Sequence, residues 1–538
     1  MSRPINNSFV KQAAILAAAS LFVRFIGFLY RIPLTNMVGD TGFAYYFAAY
    51  SVYTFAIAIS SGTLPAAVSR LISQRIARGQ AYNAHSLFKT AMFFAICIGS
   101  GVGLVMFIAA PQLAALVGAP AAASAVRSLA PTVLPVAMLA VFRGYFQGMK
   151  NAMPTASSQV VEQVFKVIFT IWLTSIFFDA ANIQPAVTGA TTGTGIAAVA
   201  GLAVVIFIYQ KHRPAIIRQA LRDRRQTANP RHLKLEHPKR QLRAIITTAI
   251  PMVASMVIFS THNLLDLRMP IYRMAASGAF TPDQARELVG QYSGKFLLLT
   301  TLPISLSLAL SSAVIPEITS SQVKMDKAAL RHKTNLAIRL SMILAIPAAV
   351  GLAVLAYPII ALLFPNHPGG GWLLQYGSVA IVFISLVHVL SGTLQGLGLV
   401  RLPVISAIIG TIIKAIINHF IIPIPSINIL GAVISTIACF MVAAAINLYF
   451  LHRHTGILPN LSAAFIKPTI AAAAMGMATY VSHQLLLDFL PSALATLLAL
   501  AAGAASYLAF MLLIKGFLPS DWKRLPIPGK IKRVLMRM

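Results

Sequence analysis

Apolar runs of about twenty residues, broken by short polar stretches, follow one another along the chain. Each run is long enough, as a helix, to cross a hydrocarbon core roughly 30 Å thick. Apolar length, together with Pro, Gly and charge breaks, predicts fourteen spans. They lie near 9–33, 41–64, 86–109, 124–149, 155–178, 190–210, 244–275, 289–318, 334–365, 370–398, 402–422, 428–450, 462–487 and 492–515. The expected fold class is an all-α polytopic membrane protein of about 14 transmembrane helices. The first run follows Arg3 and Lys11 as a secretory leader would. Its length, its internal Arg24 and Arg31, and the lack of a small-residue cleavage site after it predict that it is retained.

Composition agrees with this reading: of 538 residues, 58% are hydrophobic and 10% charged, outside the range of soluble domains. A formal charge of +31 would suggest nucleic acid in a soluble protein, so its distribution matters. With the N-terminus inside, Arg70, Arg75, Arg78, Lys150, Lys324, Lys327, Arg331, Lys333, Arg401, Arg453 and Lys467 all fall in inner loops. Outer loops 34–41, 179–190, 366–371, 423–428 and 484–491 contain no Lys or Arg. Arg127 and Arg286 are the basic residues placed outside. The charge is therefore a topology signal that matches an anionic inner leaflet, with both termini cytoplasmic and no nucleic acid as partner. The connection 211–243, with eleven basic and two acidic residues, reads as a solvated cytoplasmic linker, with an acidic partner as the other reading. Cys97 and Cys439 lie within spans and imply neither a disulfide nor a metal site.

The halves on either side of that linker echo each other. FRGYFQGMKNAMP (142–154) and LSGTLQGLGLVRLP (390–403) align Gly144 with Gly392, Gln147 with Gln395 and Gly148 with Gly396, all at an offset of 248. The same offset pairs Lys166 with Lys414; Pro111 pairs with Pro358 at 247, and Pro65 with Pro316 at 251. The order and near-constant offset indicate a duplication of six spans. An even number makes both halves enter from one side, the arrangement of transporters with a shared central cavity. The expected domains are an N-terminal six-helix bundle (1–210), the basic linker (211–243), a C-terminal six-helix bundle (244–450), two extra helices (451–515) and a basic tail (516–538).

Charged residues inside the spans are the candidate chemistry. Lys166 lies roughly 16 Å into its span at 1.5 Å per residue, and a lone charge at such depth costs about 2.5–3.5 kcal/mol. Glu162 shares its helix face, one turn away. Arg24 and Arg31, about 20° apart around a helix, predict a basic stripe with Gly27 between them. Lys295 and Lys414 lie in spans eight and eleven, and Asp266, Arg268 and Arg273 crowd the outer half of span seven. Arg31, Arg268 and Arg273 also fit interfacial anchors, the Glu162–Lys166 pair also fits a structural tie, and Arg143 and Glu317, near inner ends, read as structural. A mainly cationic cavity selects an anion such as a diphosphate, whereas an exporter of organic cations calls for carboxylates. The GTG at 193 (Thr192-Gly193-Thr194-Gly195) reads as helix packing or a turn. No HExxH, GxSxG or GKS motif is present, and His388 and His419 are isolated. No enzyme, metal or cofactor is expected.

GFLYRIPL (27–34), VGDTGFAYYFAAYSVY (38–53), SGTLPAAVSRLIS (61–73), QVVEQVFKV (159–167) and LSLALSSAVIPEIT (306–319) occur in that order. Together they resemble the MurJ-like and stage V sporulation protein B branch of the multidrug/oligosaccharidyl-lipid/polysaccharide exporter superfamily, over roughly 10–450. The resemblance implies a MATE-like fold in the bacterial cytoplasmic membrane. It also implies a flippase for undecaprenyl-diphosphate-linked sugars, lipid II in MurJ-like proteins, working by alternating access, with cell-wall synthesis proteins as possible partners. Arg24 matches the family's first-span basic residue before Gly-Phe, and Lys295 its eighth-span basic residue. The arginine pair of Gram-negative members falls near Ala56 and Ile57, which are apolar, so Arg31, Lys166 and Lys414 stand as the alternative diphosphate ligands. On this reading Lys166 faces the diphosphate, while Glu162 restrains it or senses a coupling ion, Na+ or H+, with the membrane potential as a further bias. Other lipid-linked units (teichoic, capsular, spore-envelope), a cation-coupled MATE-type drug antiporter and a non-transporting scaffold acting through 211–243 are the competing readings.

Overall fold

The computed structural model describes residues 7–226 and 236–516, and every regular element in them is helical. The described residues form two compact units: one runs to Gly294 and includes Pro423–Asn428, and the other comprises Lys295–Ile422 and the chain from Ile429.

The first unit contains α1 (Asn7–Leu29), α2 (Arg31–Ser60), α3 (Leu64–Ala77), α4 (Ala81–Ile108), α5 (Ala110–Leu116), α6 (Ala123–Leu129), α7 (Val133–Gly148), α8 (Met153–Ile176), α9 (Gln184–Gln226), α10 (Pro238–Ala276) and α11 (Pro282–Gln291). Its core joins α3, α4, α7, α9 and α10 through Leu87, Phe88, Val141, Tyr145, Val205 and Ile245. Large apolar side chains such as Phe93, Val105 and Trp172 point away from the protein, while small residues mediate the helix contacts. The clearest case is α8 against α9, where a Cβ on Gly193 would stand 2.5 Å from the Thr170 backbone nitrogen, and one on Gly189 2.7 Å from the Leu173 carbonyl.

The second unit contains α12 (Leu297–Val323), α13 (Lys327–Val354), α14 (Ala356–Leu363), α15 (Gly371–Gly377), α16 (Ala380–Gly396), α17 (Arg401–Ile421), α18 (Leu430–Thr455), α19 (Lys467–Leu487) and α20 (Ser492–Leu513). The two extra helices pack on α13: Tyr507 donates to the Ile343 carbonyl at 2.9 Å, and Ala471, Met475 and Met511 enter the same core as Met342 and Ile346. Each of the fourteen predicted spans falls on a helix or a bent pair of helices. Among the described residues ten helical stretches are long and apolar enough to cross a membrane, eleven with the bent pair α15–α16.

The duplication can be followed at one contact that occurs in both units. In the first, Ser73 on α3 donates to the Gly148 carbonyl at the end of α7 at 2.9 Å. In the second, Thr319 on α12 donates to the Gly396 carbonyl at the end of α16, also at 2.9 Å. The missing side chains allow this: a Cβ on Gly148 would meet Ile72, and one on Gly396 would meet Ile318 and the Ile315 carbonyl.

Three expected boundaries differ from the structure. The outer loop at 34–41 is mostly helix, and the break comes at Gly39, whose φ of 69° suits glycine. There α11 crosses so closely that a Cβ on Gly290 would lie 1.8 Å from the Asp40 carbonyl oxygen. The linker 211–243 is shorter than expected, since α9 continues to Gln226 and α10 starts at Pro238. Only 227–235 lie outside the described residues, as does the basic tail beyond Gly516. The division of the chain at that linker also does not coincide with the compact units, because α10 and α11 belong to the first. The start of α10 is pinned to α3 and α4: buried Arg75 binds Glu236 at 2.5 Å through Nη2 and at 3.0 Å through Nε. Gln241 accepts from Thr90 at 2.7 Å and donates to Ser86 at 3.1 Å.

Candidate functional site

In the first unit, α8 presents its charged face to α2 and α7. Lys166 lies thirteen residues into α8, roughly 20 Å along it. Its ammonium is not paired with Glu162. It hydrogen-bonds the Tyr50 hydroxyl and lies over two aromatic faces, 4.4 Å from the centre of the Tyr50 ring and 5.6 Å from that of Tyr30. Tyr30 and Tyr46 share a hydroxyl–hydroxyl hydrogen bond of 3.0 Å, and Tyr46, Tyr50 and Tyr53 form a ladder along α2 with ring centres 5.3 and 5.5 Å apart. Arg31, at the start of α2, lies within electrostatic reach of Lys166, Tyr30, Tyr46 and Tyr50, and its buried Nε makes no hydrogen bond.

Glu162 turns instead to α7. Its carboxylate accepts from Arg143 Nη2 at 2.6 Å, while Arg143 Nε donates to Ser158 Oγ at 3.0 Å. The expected restraint of Lys166 by Glu162 is thereby corrected. Two cations compete for one carboxylate, and the planar guanidinium, which can bond Glu162 and Ser158 at once, holds it more firmly than a flexible ammonium does. Glu162 therefore pairs with Arg143, and Lys166 is left to the tyrosines. The Lys166–Arg31 pair is left as a doubly cationic site walled by tyrosines.

The other expected site residues are not brought to this place. Arg24 is exposed on α1, beside exposed Leu21, Phe22 and Phe25, and makes no hydrogen bond or ion pair among the described residues. Tyr30, with helical backbone angles, joins α1 to α2, so that Arg24 lies on the one and Arg31 at the start of the other. In α10, Asp266 is buried, Arg268 exposed and Arg273 half-buried. Lys295 and Lys414 belong to the second unit. Lys295 is fully enclosed and donates to the carbonyls of His367 at 2.7 Å and Gly369 at 2.9 Å, bracing the loop between α14 and α15. Its expected role as a diphosphate ligand does not fit that enclosure. Lys414 is also fully buried, with Asn418 one turn along the same face of α17.

The two basic residues expected outside have local functions: Arg286 is paired with Asp283 at 2.6 Å and donates to the Gly118 carbonyl at 3.3 Å, and Arg127 lies over Phe107. Glu317 pairs with Lys333 at 2.7 Å. Among the described residues no group of three metal-ligating side chains occurs. Sequence reasoning missed the tyrosines and Arg339, a buried arginine twelve residues into α13. The i, i+4 and i+7 spacing of Tyr46, Tyr50 and Tyr53 was the available signal, since it places all three rings along one helix face.

A helical membrane bundle with charged side chains inside its spans has the form of a transporter. The polysaccharide biosynthesis protein family matches residues 9–322, and a second family of the same description matches 285–367. The lipid II flippase MurJ of Bacillus subtilis (strain 168) is 27% identical over 536 residues, covering 94% of this chain and 95% of that protein. Among solved structures, the lipid II flippase MurJ in an inward closed conformation superposes with a TM-score of 0.69 at 15% identity, over 93% of this chain and 98% of that one. An inward-facing multidrug resistance MATE family transporter gives 0.66 at 18% identity, over 80% and 94%. The chain belongs to the polysaccharide biosynthesis protein family, in the MurJ and stage V sporulation protein B branch of the exporter superfamily, with a MATE-like fold. It is a multi-pass membrane transporter or flippase and not an enzyme.

Proposed function

We propose that the protein flips an undecaprenyl-diphosphate-linked cell-wall precursor, lipid II, from the inner to the outer leaflet of the bacterial cytoplasmic membrane, with both termini on the inner side. One observation carries this reading: Lys166 is held by Tyr50 and Tyr30 and not by Glu162, so with Arg31 it offers two positive charges to one ligand. The bridging diphosphate of a lipid-linked sugar carries two negative charges and several acceptor oxygens, and charge-assisted hydrogen bonds would hold it. The tyrosine walls keep that attraction strong by excluding water. Flipping makes and breaks no covalent bond. It requires only that the two conformations differ in affinity, with the membrane potential or a Na+ or H+ gradient biasing which one faces out.

The test is lipid II exposure in the outer leaflet of a bacterium depleted of its own flippase and supplied with this protein or its Lys166→Ala variant. Restoration by the wild type alone supports both cargo and lysine. If the wild type inserts but restores nothing, lipid II is the wrong cargo, and teichoic, capsular or spore-envelope units become the compounds to assay.

A further inference from the structure

Glu162 and Lys166 are one turn apart in the order, acid before base, that favours an ion pair on a helix. Such a pair would cancel half of the site's charge. Arg143 prevents it. Its side chain is 15% exposed, and two contacts fix it: Nη2 to the Glu162 carboxylate at 2.6 Å, and Nε to Ser158 Oγ at 3.0 Å. Ser158 is itself oriented by donating to the Thr155 carbonyl at 2.9 Å. On the far side the Glu162 stem lies against Gly201 of α9, where a Cβ would come within 3.1 Å of Glu162 Cβ. The carboxylate is thus directed towards α7.

The second repeat provides an internal comparison. At the offset of 248, Lys166 corresponds to Lys414 and Ser158 to Ser406, but Glu162 corresponds to Gly410 and Arg143 to Ser391. There the helices are joined without charge: Ser406 donates to the Asn447 side-chain carbonyl at 2.8 Å, and the Asn447 amide donates to Ser391 at 3.2 Å. The acid and the arginine are absent together, while the lysine remains.

We propose that Arg143 is a positioning residue for the anion site: it holds the Glu162 carboxylate on α7, away from the Lys166 ammonium, and so keeps that ammonium available to a bound diphosphate. The inference rests on the reading of Lys166 as a diphosphate ligand.

The experiment measures affinity of the detergent-solubilised full-length protein for undecaprenyl diphosphate, with thermal unfolding in parallel. Arg143→Gln releases Glu162 to Lys166 and is expected to weaken binding about five- to tenfold. Arg143→Gln/Glu162→Gln is expected to return to within about twofold of wild type, because the competing carboxylate has also gone. Wild-type affinity in Arg143→Gln, or a double variant as weak as the single, would overturn the proposal. If Arg143→Gln does not fold, Arg143→Ser/Glu162→Gly reproduces the pair found in the second repeat. Wild-type affinity there supports positioning, and lost affinity overturns it by making Arg143 itself a ligand contact. Lys166→Gln separates the two ideas: if it binds undecaprenyl diphosphate as wild type does, the site reading fails whatever Arg143 does.

Discussion

Replacing Lys166 by methionine tests whether the lysine serves folding or cargo. Methionine keeps an unbranched stem of similar length and removes the charge. If Lys166 were the ion-pair partner of Glu162, its loss would strand a half-buried carboxylate, a penalty of about 3–5 kcal/mol. The structure predicts otherwise, because Glu162 keeps Arg143. What disappears is one charge-assisted hydrogen bond to Tyr50, about 1.5–3 kcal/mol, and the contact with the Tyr50 and Tyr30 rings, about 0.5–2 kcal/mol. Against this, an ammonium no longer has to be desolvated, an effect of several kcal/mol in the opposite direction. These terms nearly cancel, so thermal unfolding of Lys166→Met in detergent should stay within about 1 kcal/mol of wild type. Affinity for undecaprenyl diphosphate should fall about 10- to 150-fold, the equivalent of one charge-assisted hydrogen bond. A variant that unfolds early yet binds undecaprenyl diphosphate normally would refute the argument and return the lysine to a structural role.

Lys295→Met should behave in the opposite way: with the His367 and Gly369 carbonyls left unbonded, the yield of folded protein drops, while whatever folds binds undecaprenyl diphosphate normally. Size-exclusion recovery and a binding curve together decide it. Gly193→Val forces α8 and α9 apart at the Thr170 backbone and should abolish the folded peak, whereas Gly101→Val, where a side chain meets open space, should leave it intact. Glu236→Gln weakens the anchor on buried Arg75 and should destabilise by about 1–3 kcal/mol. Thermal unfolding of the variant beside wild type in detergent checks this, and an unchanged midpoint would contradict the assigned anchoring.

The helices were legible because lipid removes most alternatives: a segment without water must satisfy its backbone within itself, so apolar length with its Pro, Gly and charge breaks placed the predicted spans on helices. The repeat was legible from Gly148 and Gly396, since close helix contact leaves room for no other residue. Partner choice was not legible. The sequence places Glu162 one turn from Lys166 and leaves Arg143 nineteen residues away, so a pattern read along one helix assigns the wrong ion pair. Lys295 failed for a related reason: the groups that enclose it are backbone carbonyls more than seventy residues on, and carbonyls have no sequence signature. The break at Gly39 was hidden because the residues on both sides of it remain helical.

The shared clasp, Ser73 on the Gly148 carbonyl and Thr319 on that of Gly396, makes this chain its own control. The same kind of joint is present twice in a single polypeptide, once beside the Arg143–Glu162 ion pair and once beside a neutral amide bridge. A lesion made in one copy can be read against the untouched copy in the same molecule, at the same expression level and in the same membrane. Removing the hydroxyl from Ser73 and then from Thr319 would show which half tolerates a loosened joint, and so how far the two halves divide the work of transport.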